Sequence, residues 1–195
     1  EIKLSITLLR PRYFRVIVSG VVNNPGLVES HALQRVSDVI DKAHMFFQEF
    51  EIVTENRLRA ISSQRRITIH RGGRTIPVDL LTFRKFGDVS ANPYISAGDV
   101  IDVPPALGNI YIFGAVNDPG QYEFKSGDRI ADLVRFGGGL FSTADSTRAT
   151  LARFDVKGSG ITSTDINLTD AIYAHPDDPS YTLHEFDRLY VRTRF

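Results

Sequence analysis

The chain contains no cysteine, which excludes disulfides, thiolate metal sites, iron–sulfur clusters and a cysteine nucleophile. An excess of charge of either sign is also missing. The 23 Lys and Arg balance 23 Asp and Glu, so no global field gathers nucleic acid or an anionic membrane surface. No apolar run in the sequence approaches the roughly 18–20 residues needed to cross a bilayer. No charged-then-apolar leader is present either. Because the chain opens Glu1-Ile2-Lys3-Leu4, it reads as a piece of a longer precursor whose targeting signal lies elsewhere. What is present is core material. The hydrophobic fraction is 42%, with 13 Phe and 7 Tyr, enough for packed domains.

Internal repetition decides the organisation. Gly20-Val21-Val22-Asn23-Asn24-Pro25-Gly26 recurs as Gly114-Ala115-Val116-Asn117-Asp118-Pro119-Gly120, at an offset of 94. That register runs without a gap to Ala43/Gly137, and eight of its 24 positions are identical. Asp99-Val100-Ile101-Asp102-Val103 then recurs as Asp187-Arg188-Leu189-Tyr190-Val191, and Asp79-Leu80 as Asn167-Leu168, both at an offset of 88. Between them, Ile67–Arg71 aligns with Ala149–Arg153. On this alignment the first copy is longer after its helix, and the second is longer in the hairpin that follows.

Each copy begins with a β-rich run (Phe14–Val18; Ile110–Phe113). Pro-Gly then carries type II turn chemistry and predicts a hairpin into a second strand. Val36, Val39, Ile40 and Ala43 fall at helical spacing, as do Ile130, Leu133, Val134 and Gly137. Asp128 is the expected N-cap of the second helix, and Gly137-Gly138-Gly139 its terminator. Short strands close each unit. The predicted class is therefore α+β, with two tandem β-grasp-like modules, each a small mixed sheet packed on one helix. Residues 1–9 read as an added strand through Ile2, Leu4, Ile6 and Leu8, residues 10–105 as the first module and 106–195 as the second.

Several motifs resemble the soluble-ligand-binding β-grasp (SLBB) family. They are Val18–Gly26 with its Asn-x-Pro-Gly, Arg71, Ala97-Gly98-Asp99 leading into a strand, and in the second copy Gly114–Gly120, Gly137-Gly138, Arg153 and Asp187. The second copy departs from the pattern in having Phe186 before that aspartate, and the first in having Ala43-His44 where glycines are usual. Tandem repeats of this kind resemble those of Wza-type bacterial polysaccharide-export proteins. The resemblance implies a periplasmic, outer-membrane-associated, non-catalytic role in capsule or exopolysaccharide export. The partners it implies are the polysaccharide, further copies of the chain in a ring, and an inner-membrane export protein.

Other chemistry finds no anchor. The five histidines lack metal-ligand spacing, the triple glycine follows a helix instead of opening one, and no Gly-x-Ser-x-Gly elbow occurs. Asp177-Asp178 lie together in a proline-flanked loop, unlike a catalytic pair held across a cleft. No catalytic residue, metal or cofactor is expected. The candidate ligand-binding residues are Asn23, Asn24, Asn117, Asp118, Tyr122, Arg71 and Arg153, although Asx residues also suit turns for backbone reasons alone. Arg57, Arg59, Arg65, Arg66, Arg71 and Arg74 form a basic cluster in sequence, either a patch for an acidic polymer or neighbour or a solvated sheet edge. Tyr111, Tyr122, Tyr173, Tyr181 and Tyr190 suit sugar stacking or sheet bracing. Nucleic-acid binding is disfavoured, because the cluster has no interleaved aromatics. The competing reading is a monomeric module holding a small ligand in an apolar pocket.

Overall fold

The computed structural model describes residues 10–45, 52–154 and 160–194, with only the backbone of 52–56. The strand expected through Ile2, Leu4, Ile6 and Leu8 lies outside these residues. The chain divides into two compact units, 1–106 and 107–195.

In the first unit, β1 (Tyr13–Gly20) and β2 (Gly26–His31) form a hairpin, followed by helix α1 (Val36–His44), helix α2 (Ile52–Ile61), hairpin β3 (Ile67–Arg71) and β4 (Arg74–Val78), helix α3 (Leu80–Phe86) and strand β5 (Val100–Val103). The second unit runs β6 (Asn109–Gly114), β7 (Gly120–Glu123), α4 (Ile130–Phe136), β8 (Ala144–Phe154), β9 (Ile161–Ile166), α5 (Leu168–Tyr173) and β10 (Arg188–Thr193). The sheet orders are β2-β1-β5-β3-β4 and β7-β6-β10-β8-β9. In each, the first and last strands lie side by side and parallel at the centre. This is the β-grasp arrangement, built twice.

The registers agree residue by residue. Val16 pairs with Val28 where Ile110 pairs with Tyr122, Ile101 with Ile69 where Leu189 pairs with Leu151, and Val18 with Ile101 where Ile112 pairs with Leu189. Alternation places Val16, Val18, Ile69, Ile101 and Val103 in the first core, and Ile110, Ile112, Ala149, Leu189 and Val191 in the second. Helix α1 covers the first sheet with Val36, Val39, Ile40 and Ala43, and α4 covers the second with Ile130, Leu133, Val134 and Phe136. The length difference also falls as the alignment places it. Helix α2 follows α1 in the first unit only, whereas the β8–β9 hairpin extends well beyond the Gly72-Gly73 turn of β3–β4.

Two local expectations need correction. The N-cap of α4 is Arg129. Asp132 reaches back to accept the Arg129 N–H at 3.0 Å, as Asp38 does for Arg35 at 2.8 Å, and the Asp128 carboxylate instead accepts from Lys125 N in the preceding turn. Pro-Gly does not make a tight hairpin turn. The β1–β2 ladder stops at Val18↔Gly26, and residues between them loop over the end of the helix. Asn24 N donates to Ala43 O and Asp118 N to Gly137 O, both at 2.8 Å. The loop is long because it must reach the helix terminus and satisfy its last carbonyls.

Gly20 and Gly114 make the turn out of the central strand possible. Both have left-handed φ (+91° and +86°), and a Cβ on either would collide with a backbone carbonyl, that of Val103 or Val191. The next residue donates to that same carbonyl, Val21 N at 2.7 Å and Ala115 N at 2.9 Å. Gly120 has open space around it and ordinary φ. Gly114→Ala should therefore destabilise by more than the roughly 1–2 kcal/mol of left-handed strain alone, whereas Gly120→Ala should stay within about 0.5 kcal/mol of wild type. Urea unfolding of both variants checks the contrast.

Candidate functional site

The structure gives Arg71 and Arg153 one and the same task. Asp99, at the start of β5, has no exposed side-chain surface. The Arg71 guanidinium, reaching across from β3, donates to its two oxygens, each at 2.7 Å, and to Tyr94 O at 2.8 Å. Arg153 does the same to buried Asp187, with Nη2 at 2.7 Å from the carboxylate and 3.0 Å from Thr182 O. Each carboxylate also accepts a turn N–H, from Ser96 or His184. The backbone carbonyls of Asp99 and Asp187 accept from Ile17 N and Tyr111 N of the neighbouring parallel strands. The hydrogen bonds that each arginine donates to its carboxylate raise its pKa above the ordinary value, against the opposing effect of burial. These arginines hold strands together. They present one-third of their side-chain surface to solvent.

The Asx candidates also turn inward. The Asn23 carboxamide donates to His44 O at 2.8 Å and that of Asn117 to Gly138 O at 2.7 Å. Asn24 bonds Met45 O. Buried Tyr122 stacks on Phe136 and donates to Asp118 O at 2.8 Å. Asn23 and Asn24, like Asn117, Asp118 and Tyr122, thus gather at the junction of turn and helix end. They are not brought together with Arg71 or Arg153. The sequence cluster of arginines is divided in space as well. Arg65 is 5% exposed and paired with Asp79, Arg59 pairs with Asp41, and Arg71 with Asp99.

Of the hollows among the described residues of the first unit, two bear on ligand binding. One, of about 220 Å³, lies between α1, α2 and α3 and is lined by Ile40, His44, Arg59, Ser62, Gln64 and Arg84. Arg59 is engaged with Asp41 and Arg84 with Gln64, and the volume falls short of the roughly 300–1,000 Å³ of small-molecule sites. The other, of about 420 Å³, is an apolar trough between β2 and the end of α1 that includes Asn24, Leu27 and Lys42. Its Lys42 ammonium is turned to Glu29 O and Gln34. Neither offers convergent unengaged polar groups.

An outward-facing aromatic surface in the second unit is a different matter. On β6 and β10, Tyr111, Phe113, Arg188 and Tyr190 alternate with the buried Ile110, Ile112, Leu189 and Val191. The rings of Tyr111 and Phe113 stack 6.2 Å apart. The Arg188 guanidinium lies 5.3 Å from the Tyr111 ring centroid and 5.2 Å from that of Phe154. Sequence reasoning named Tyr111 and Tyr190 as sugar-stacking candidates and missed Phe113, Phe154 and Arg188. The signal was there in the period-2 alternation of both strands. Tyr173 is 83% exposed and stands apart on α5.

Among the described residues, no three His, Asp or Glu side chains gather to hold a metal, and no helix is long and apolar enough to cross a membrane. Residues 109–163 match the family model for the SLBB domain. The match spans β6 to the start of β9, so the second unit is similar to that family over most of its sheet and its first helix. No curated protein matches the chain.

Removing the Asp187 carboxylate (Asp187→Ala) should cost about 3 kcal/mol, the low end for a broken buried ion pair, because Arg153 keeps some contact with water. Replacing both partners with leucine should cost less than the sum of the single changes. A double-mutant cycle by urea unfolding reads the coupling.

Proposed function

We propose that the chain is a non-catalytic, polysaccharide-contacting portion of a bacterial polysaccharide-export protein, acting in the periplasm. One observation carries this reading. The SLBB match falls inside one of two modules that share sheet order, register and buried Arg–Asp pair, and SLBB domains occur in export proteins of this kind. Copies of the chain form a ring in this reading, since a heterologous contact between identical chains closes when its rotation divides a full turn. Function then rests on shape and surface contacts, with no bond made or broken. Capsule or exopolysaccharide is the cargo in this reading, and an inner-membrane export protein is a partner.

The small-ligand alternative asks for an enclosed apolar pocket with convergent polar groups. The hollow of about 220 Å³ beside α2 is the place for it, but its arginines are already engaged.

Deleting the segment that encodes these modules in the source bacterium should lower secreted polysaccharide at least tenfold while leaving growth intact. Carbohydrate assay of the medium and cell surface measures this. Unchanged secretion would sink the export reading. Mass photometry of the full-length protein should show a closed oligomer, and a monomer at every concentration would favour the small-ligand alternative.

A further inference from the structure

Since both modules share one framework, position-by-position differences between them mark what each has gained beyond folding. The outward face of the sheet differs sharply. Where the second module has Tyr111, Phe113, Arg188 and Tyr190, the matching register in the first has Ile17, Ser19, Val100 and Asp102. There Ser19 Oγ donates to the Asp102 carboxylate at 2.9 Å, so the polar groups satisfy each other. In the second module the groups are left presented to solvent. Phe113 is 41% exposed and Tyr190 53%. Arg188 is exposed, and among the described residues no carboxylate or carbonyl accepts from it. Ring faces hold its charge in place, with no counter-ion among the described residues.

Backbone strain at the same end of the sheet is a second, independent observation. Phe186 is the single described non-glycine residue with positive φ, at 68°. Gly98 occupies the matching position in the first module, at φ 81°. A phenylalanine in the left-handed region is strained, and such strain clusters at functional sites. Phe186 is half-exposed and tied by its N–H to Asn109 O at 2.9 Å, at the start of β6. The first module folds without a side chain there.

We propose that this face, formed by Tyr111, Phe113, Arg188 and Tyr190 with Phe154 at its end and the strained Phe186 turn beside the start of β6, binds a polysaccharide strand that carries carboxylates, such as one containing uronic acids. The inference rests on the export reading and deepens it. Flat rings spaced along strands match the apolar C–H faces of successive sugars, and the guanidinium fork matches a carboxylate. The charge density selects the ligand class. A nucleic acid brings a phosphate at every step and calls for a row of cations, whereas here, among the described residues, one arginine without a carboxylate partner stands among aromatics. Arg192, the next cation along β10, is held by Asp165 at 3.2 Å.

The 195-residue chain can be titrated with an oligogalacturonate and, in parallel, with a neutral glucan oligosaccharide of equal length. Calorimetry gives affinity and backbone NMR shifts give the location. The oligogalacturonate should bind at least tenfold more tightly than the glucan and move the resonances of residues 111, 113, 188 and 190. Arg188→Gln should weaken oligogalacturonate binding at least tenfold and leave glucan binding alone, while Ile17→Ala in the first module should change neither. Phe186→Gly should raise the thermal midpoint and lower the affinity, opposite shifts that a purely structural residue would not give. No oligogalacturonate binding, or binding that survives both Arg188→Gln and Phe113→Ala, overturns the proposal. Binding mapped to another face removes this site but leaves the export reading standing, since that reading is tested by secretion in cells. Concentration-dependent self-association abolished by Phe113→Asp, with no oligosaccharide bound, would make the face a contact between copies and likewise overturn the proposal.

Discussion

Asp99 and Asp187 have no exposed side-chain surface, and a carboxylate so placed must be satisfied on every side or it destabilises the fold by several kcal/mol. Satisfaction takes three elements at once. The arginine comes from the antiparallel neighbour, the turn N–H from the approach to the last strand, and the aspartate's own carbonyl reaches the first strand. One residue therefore fixes the meeting of β1, β3 and β5, and its counterpart that of β6, β8 and β10. The parallel pair at the centre of the sheet depends on this junction. Parallel neighbours cannot be linked by a tight turn, so something other than chain connectivity must set their register.

The glycine at the far end of that parallel pair completes the constraint. As the chain leaves β1 or β6 it passes so close to the last strand's carbonyl that no Cβ fits. It then loops to the end of the helix, where Asn23 or Asn117 holds it. Glycine, asparagine, arginine and aspartate thus recur in both copies for reasons of folding. Residues that look like a binding motif, because they are polar and repeated, are here spent on backbone geometry and on burying a charge.

Other positions are left open by this framework and free to vary. The two modules differ on the outward sheet face, after α1 and in the β3–β4 and β8–β9 hairpins. None of these alters the core. A duplicated fold of this kind can hold one set of interior residues fixed while each copy's surface diverges. At Phe186 the divergence sets a side chain on a left-handed backbone position that both copies share, Gly98 holding it in the first.

The sequence alone determined the duplication, the α+β class, the two helices that face the cores and the place of the extra length in each copy. These follow from periodicity and from residue types with few conformational choices, both of which are local. The partner of Arg71 was not legible, because Asp99 lies 28 residues away and nothing in either strand's alternation says which carboxylate the guanidinium will meet. The aromatic face was half legible. Alternation puts Tyr111 and Phe113 on one side of β6, but only the sheet order brings β10 and β8 beside it, so that Arg188 lies between the rings of Tyr111 and Phe154. The arginine cluster shows the converse. Residues close in sequence are sent by the fold to separate carboxylates, because side chains are brought together by strand pairing and burial, not by their spacing along the chain.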